Sequence, residues 1–444
     1  MQKKLLSVAV AGALAAPGAA LAQVEVYGFI SVAVSKFKYS AATVGGVTAP
    51  SVSKFDVSSH GSNYGVRGRE NLGGGQTAWF QIEQNAPMER SNNVAITPAS
   101  RNTAVGMQGA WGNFFIGQWT TPWADLESLW SVGAVGGYSP SLSIIGRRET
   151  TGTAPNPNCV NGHLSGGQGP VTAVTIGGTT VPTGLGTVAV TTAVVCDPVE
   201  AAGGAGHPFW RRISQSIFYY SPVFAGAQLK LAYQTNDGKS TTAGAGFTTA
   251  DPSMWSAAVQ WSGMGGRARI GAAYDAHKEF TSPGATDKGW TVKGGFNLGI
   301  VDIGAAYEQM TYKCRGQVAP NACLGSVGDV ETVQWGVALA IPVGQGAIRA
   351  SYSVAEEPEF EGTKVPQGAD EITIGYDYRF SKRTTVGVGY AQIKNDNGGT
   401  VGGVAVPGAI FTWTGAPGNQ TGTGLAPLPG SDPSVFFLSV IHRF

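Results

Sequence analysis

Residues 371–380 read EITIGYDYRF. Ile372, Ile374, Tyr376, Tyr378 and Phe380 fall on one side of an extended chain, and Glu371, Thr373, Gly375, Asp377 and Arg379 on the other. The reason is geometric: successive side chains of a strand point to opposite faces. Residues 434–444, SVFFLSVIHRF, do the same. There Phe436, Leu438, Val440 and Phe444 share a face broken only by His442. A soluble sheet would press its apolar face against a second layer. Here segment after segment repeats the pattern and no helical pattern supplies that layer. A closed antiparallel barrel, apolar outside and polar inside, is the arrangement that fits.

Working outward from these two segments, alternation predicts sixteen strands. They span 24–38, 54–69, 75–86, 100–110, 113–119, 211–221, 226–235, 254–262, 266–279, 287–297, 300–313, 329–340, 346–355, 369–380, 384–395 and 434–444. Trp255 and Trp261, six residues apart on one face, are spaced to put rings near both interfaces of a tilted membrane strand. Seven short connections alternate with eight long ones, the longest covering 120–210. Tight turns at one end and long loops at the other are what a transmembrane barrel shows. An even strand count also lets the first strand pair with the last, so no edge is left open. A soluble secreted all-β protein would alternate too, but it would not leave Tyr376, Tyr378, Trp255 and Trp261 in water.

Composition narrows the class further. The 66 glycines suit strands that bend and pack closely. Residues 1–22 read as a signal peptide: Lys3 and Lys4, an apolar run to Ala16, then Ala20-Leu21-Ala22 as the cleavage site. The mature barrel domain then spans 23–444. Removing two lysines from a net charge of +1 leaves −1, which argues against a nucleic-acid partner. No later run reaches the roughly 18 apolar residues of a membrane helix. Four cysteines, Cys159, Cys196, Cys314 and Cys323, allow three pairings. The local one, Cys159–Cys196 with Cys314–Cys323, closes two loops between strands, as structural disulfides in an oxidising compartment would. No C-x-x-C spacing supports a metal site, and no cofactor motif is present. The five histidines are scattered and no G-x-S-x-G occurs, so the sequence reads as no enzyme.

Strand parity assigns the inner wall. Arg67, Lys230, Arg267, Arg269, Lys293, Arg349 and Arg379 point inward, with Asn63 on the Arg67 face. Inward acids are Glu83, Asp275, Asp302, Glu308 and Asp377. In the long loop after Gln118, residues 124–132 (ADLESLWSV) have short helical character, and Asp125 and Glu127 are candidates for an acidic wall.

Several stretches, in order and spacing, resemble one family. These are Val26-Tyr27-Gly28; residues 62–75, SNYGVRGRENLGGG; Ala78, Phe80-Gln81 and Glu83; Arg101, Val105-Gly106 and Gly117-Gln118; Arg212, Gln215-Ser216-Ile217 and Tyr220-Ser221-Pro222; residues 381–384; and His442-Arg443-Phe444. Over nearly all of the mature chain they resemble the general diffusion porins of Gram-negative outer membranes, especially the β-proteobacterial type. The resemblance implies a sixteen-stranded transmembrane barrel, usually a homotrimer, embedded among outer-membrane lipid and lipopolysaccharide. It implies a third external loop folded inward to narrow a water-filled channel for ions and small hydrophilic solutes. It also implies a terminal aromatic, here Phe444, read by the outer-membrane insertion machinery. Arg101 and Arg212 match wall positions lining the constriction, which with Arg67, Asp125 and Glu127 completes the expected narrow point. Strict alternation turns Arg101 outward, so an offset near residue 102 is required. Asn63 and Gln118 stand where the family usually carries Arg, and Ser31 where it often carries Asp.

Inward basic residues slightly outnumber inward acids, so a weakly selective or mildly anion-preferring pore is expected. A substrate-specific channel, or a surface-binding barrel using the loops at 120–210 and 396–433, are the other readings.

Overall fold

The computed structural model describes residues 23–44, 47–86, 99–138, 143–145, 209–235, 252–279, 284–314, 328–401 and 430–444. It also describes short pieces at 88, 159–160, 163–164, 173–176, 179–182, 404–407, 409, 411 and 413. The expected signal peptide and Cys196 and Cys323 lie outside these residues, as do the side chains of Cys159 and Cys314.

Seventeen strands fill sixteen wall positions. They are β1 Gln23–Tyr39, β2 Val52–Ser59, β3 Asn63–Gly73, β4 Gln76–Asn85, β5 Thr103–Gly109, β6 Gly112–Thr120, β7 Arg212–Tyr220, β8 Ala227–Gln234 and β9 Ser253–Gly263. Then come β10 Ala268–Lys278, β11 Thr286–Asn297, β12 Asp302–Cys314, β13 Gly328–Val343, β14 Gly346–Ala355, β15 Ala369–Arg379, β16 Thr384–Asn395 and β17 Pro433–Arg443. Each pairs antiparallel with its neighbour, and β17 pairs with β1 (Val32 opposite Val440), which closes the ring. Gly28 and Phe444 exchange backbone hydrogen bonds at 3.3 and 3.1 Å.

The second wall position departs from the single strand expected over 54–69. β2 and β3 both pair with β1, but Val32 faces Ser59 while Phe29 faces Asn63, so one extra residue enters between them. The bulge is held by His60 N–H on the Ser31 carbonyl (2.9 Å), and by Ser62 Oγ, which accepts from Ser31 N–H (2.9 Å) and donates to Ser31 O (3.0 Å). Gly61 takes the left-handed turn, φ +68°. The exposed face flips from Phe55 and Val57 to Tyr64 across it. That parity change was readable in the sequence.

The outward face is apolar on strand after strand: Val26, Ile82, Val105, Val259, Ile374 and Leu438 are all exposed. At the short-turn end, outward aromatics tie polar tips to turn carbonyls. Trp261 Nε1 bonds Ala225 O, Tyr219 bonds Trp111 O and Tyr376 bonds Val343 O, at 2.8–3.1 Å. Rings with one wet end suit a membrane interface. Among the described residues no helix is long and apolar enough to cross a membrane.

The expectation of a polar interior needs correction in one sector. Inward-facing Phe37, Tyr39, Ile393, Val435 and Phe437 are buried and form one cluster with Trp130, Val135, Tyr138, Ile144 and Ile145, and with Phe411 and Trp413. The chain covers this part of its own inner wall with two of its long loops. The wall there behaves as one layer of a packed core, where each such ring stabilises by about 1.5–3 kcal/mol.

Candidate channel lining

The long loop after β6 starts with a capped turn. Thr121 Oγ1 accepts the Ala124 N–H at 3.2 Å, and Pro122 occupies the first helical position, where its missing N–H is harmless. Helix α1 (Pro122–Asp125) runs into a 3₁₀ turn, Leu126–Leu129. It thus begins two residues earlier than expected from 124–132, at the proline.

From there the loop follows the inner wall strand by strand. Leu126 and Leu129 lie over Gly271 of β10, the Trp130 backbone over Gly304 of β12 and its ring over Gly336 of β13. Gly133 lies on the Ala350 carbonyl of β14, Val135 over Gly375 of β15 and Gly136 on Ser439 of β17. Gly137 meets His60, and Tyr138 stacks on Phe437 (4.3 Å), meets the His60 ring at a tilt (4.8 Å) and shares a 2.8 Å hydrogen bond with Ser35 of β1. A Cβ on Gly271 or Gly375 would stand 2.7–2.9 Å from loop atoms. The inward glycines therefore form a track into which the loop settles. Burial raises the Tyr138 hydroxyl pKa, so that tip stays neutral.

Charge fixes what the glycines admit. Asp125 accepts from Thr120 Oγ1 (3.0 Å), Tyr220 OH (2.8 Å) and Lys230 Nζ (3.0 Å). Glu127 pairs with the fully buried Lys293 at 3.2 Å, and Lys293 also lies 3.5 Å from Glu308. Arg269 donates to Leu129 O (2.8 Å) and to Asp302 (2.7 Å). Arg349 donates to Val132 O and pairs with Asp377 at 2.8 Å. Four inward cations thus hold the loop, and its two candidate acids are spent on the wall.

The sector from β1 through β5 is different. Arg67 pairs with Glu25 at 2.9 Å, both about half exposed, and its guanidinium sits 4.7 Å from the Tyr27 ring. Tyr27 OH donates to Glu83 Oε2 (3.0 Å), and Arg101 Nε to Glu83 Oε1 (2.6 Å). The offset Arg101 needs is present: Ala99 has φ +57° and β5 begins only at Thr103. Arg212 Nε donates to Asn102 Oδ1 at 2.7 Å, and Asn63 Nδ2 to Gly61 O at 3.1 Å. Arg69 is exposed on the same face. Two expected lining residues lie elsewhere. Arg267 is in the β9–β10 turn, exposed, bonding Asn297 O at 2.8 Å, because the strand starts at Ala268. Arg379 is exposed at the short-turn end, where with Arg349, Asp302 and Val132 it lines a cavity of about 370 Å³. Asp275 is fully buried 3.8 Å from His277.

Sequence reading missed Glu25, Tyr27 and Arg69, whose parity with Arg67 was available. It also missed an inward aromatic group: Trp79, Phe115, Trp119, Phe218 and Tyr220. Phe115 and Phe218 stack at 4.7 Å, and Trp79 lies 5.3 Å from Phe115 and 5.9 Å from Trp119.

Against known proteins, the profile of the Gram-negative porin family matches residues 7–398. The chain is 28% identical over 152 residues to the major outer membrane protein P.IB of Neisseria gonorrhoeae, an alignment covering 34% of this chain and 42% of that one. It is 22% identical to outer membrane porin protein 32 of Delftia acidovorans, over 90% of this chain and 92% of that one. Among solved structures it resembles the anion-selective porin from Comamonas acidovorans, with a TM-score of 0.59 at 18% identity, covering 96% of this chain and all of that one. Salmonella typhi OmpF follows the same fold, with a TM-score of 0.52 at 12% identity, over 95% and 98%.

Proposed function

The chain belongs to the Gram-negative porin family, and we propose that it serves in the outer membrane as a water-filled channel for passive diffusion of ions and small hydrophilic solutes. One observation carries the reading. The loop after β6 keeps to the inner wall from β7 round to β17 and the Ser35 end of β1, while the Glu25–Arg67–Glu83–Arg101 sector stays uncovered by it among the described residues. A sixteen-strand barrel is too wide for wall side chains to fill, so the space between the two sectors holds water.

The passage narrows between that loop and the β1–β5 wall, with Arg67, Arg101 and Arg212 on one side. Asp125 and Glu127 anchor the loop rather than supply an acidic face. Exposed or half-buried lining arginines (Arg67, Arg69, Arg101, Arg212) then outnumber Glu25 and Glu83, which favours anions mildly. A relative described as anion-selective agrees with this. The assembly is a homotrimer held through apolar outer faces, and Phe444 is the insertion signal. The sequence keeps its reading of a signal peptide at 1–22 and of disulfides within the long loops.

Reversal potentials across a planar bilayer under a potassium chloride gradient test the selectivity. Modest anion preference is expected, and clear cation preference overturns it. Conductance closing in steps of three supports the trimer.

A further inference from the structure

We propose that the inward aromatic group with its flanking arginines is a binding stripe for amphipathic organic anions, aryl carboxylates as a class. The inference rests on the channel reading, since the stripe is useful only if solute passes it.

Register places the parts. Arg69 is directly opposite Trp79, Trp79 opposite Gly106, Gly106 opposite Phe115, and Phe115 opposite Phe218, forming one inward row across β3 to β7. Gly106 carries no side chain, so the Trp79 ring and the Phe115 Cβ close over it. Phe115 and Phe218 are buried and form the floor. Trp79, Trp119 and Tyr220 are only partly buried and keep ring surface towards the lumen. Trp79 Nε1 is fixed by Asn113 Oδ1 at 2.8 Å and Tyr220 OH by Asp125 at 2.8 Å, so the rings are oriented and their polar tips are already satisfied. What they offer a solute is apolar face.

Charge stands at both ends. Lys230 lies 5.0 Å from the Tyr220 ring but is paired with Asp125. At the other end Arg69 is exposed and has no ion pair among the described residues, one strand from Trp79. A guanidinium takes a carboxylate through two parallel hydrogen bonds, and an aromatic ring beside it takes the solute's apolar part by offset or edge contact. A wholly polar anion uses only the first of these, and an uncharged aromatic only the second.

The test uses the full-length protein in planar bilayers, with benzoate, acetate and benzyl alcohol as probes. Bi-ionic reversal potentials should show benzoate more permeant relative to acetate than its larger size predicts. Benzoate should also reduce the chloride current saturably, and benzyl alcohol should not. Trp79→Ala with Trp119→Ala should lower the benzoate-to-acetate ratio by about three- to tenfold. Since truncating Trp79 also disturbs packing over Gly106, Arg69→Gln is the second arm. It leaves every ring in place and should weaken block by benzoate. Equal behaviour of benzoate and acetate in the unmodified channel, or an unchanged ratio in the tryptophan variant together with unchanged block in Arg69→Gln, overturns the proposal. Absence of any chloride current would instead overturn the channel reading.

Discussion

The two halves of the inner wall solve opposite problems with the same strand geometry. From β10 to β17 the wall is built to be covered. Glycines receive the loop, Ile393 and Phe437 give it a greasy seat, and Lys293, Arg269 and Arg349 clamp it. From β1 to β5 the wall is built to be wet, with Glu25, Arg67, Arg69 and Arg101 at least partly exposed. Charge count alone does not distinguish the halves, since both carry several cations. What differs is whether a cation has a buried carboxylate or loop carbonyl to hold. Cations that anchor cannot also select.

Substitutions probe that difference, and the largest effect belongs to the covered half. Lys293→Met leaves Glu127 and Glu308 facing each other without a cation. Breaking a fully buried pair costs about 3–5 kcal/mol. The folded barrel should lose its resistance to heat in detergent gels, and noisy current should report a loosened loop. Gly304→Ala adds one methyl group beneath the Trp130 backbone. Overpacking of this kind costs about 1–3 kcal/mol, and single-channel conductance should fall as the loop is pushed off its track.

On the uncovered half the balance reverses. Arg67→Glu alone should barely move stability, because the exposed Arg67–Glu25 pair contributes about 0–1 kcal/mol; for the channel measurement it is combined with Arg212→Glu. The double variant should shift the reversal potential clearly towards cations. An unchanged potential would remove both arginines from the narrow point. The smallest effect is expected for Arg267→Ala in the β9–β10 turn, within about 0.5 kcal/mol in stability and with no change in selectivity. A selectivity shift there would show that the turn contributes to the lining after all.

The wall was legible because its signal is local. Ile372, Ile374 and the residues between them carry the alternation in ten letters, and Trp255 and Trp261 announce their own face. The bulge at His60 was half legible: the parity of Phe55 and Tyr64 disagrees, but only a reader tracking outward residues across the gap sees it. The loop's course was not legible. Gly271, Gly304, Gly336 and Gly375 are each ordinary strand glycines in sequence. They become a track only when β10, β12, β13 and β15 take their places in one wall and one distant segment crosses them. Asp125 and Glu127 were visible as loop acids for the same reason that their role was not. A carboxylate's chemistry is written in the residue, but its partner, Lys230 or Lys293, comes from more than a hundred positions away.

The pairing of β1 with β17 has a consequence for biogenesis. The seam joins opposite ends of the sequence, so no local fragment can rehearse it, and such long-range pairing is intrinsically slow. Until it zips, both border strands offer unsatisfied amides to any passing chain. An unzipped chain is therefore open to wrong pairing, and the Gly28–Phe444 hydrogen bonds lie where the last strand is locked against the first.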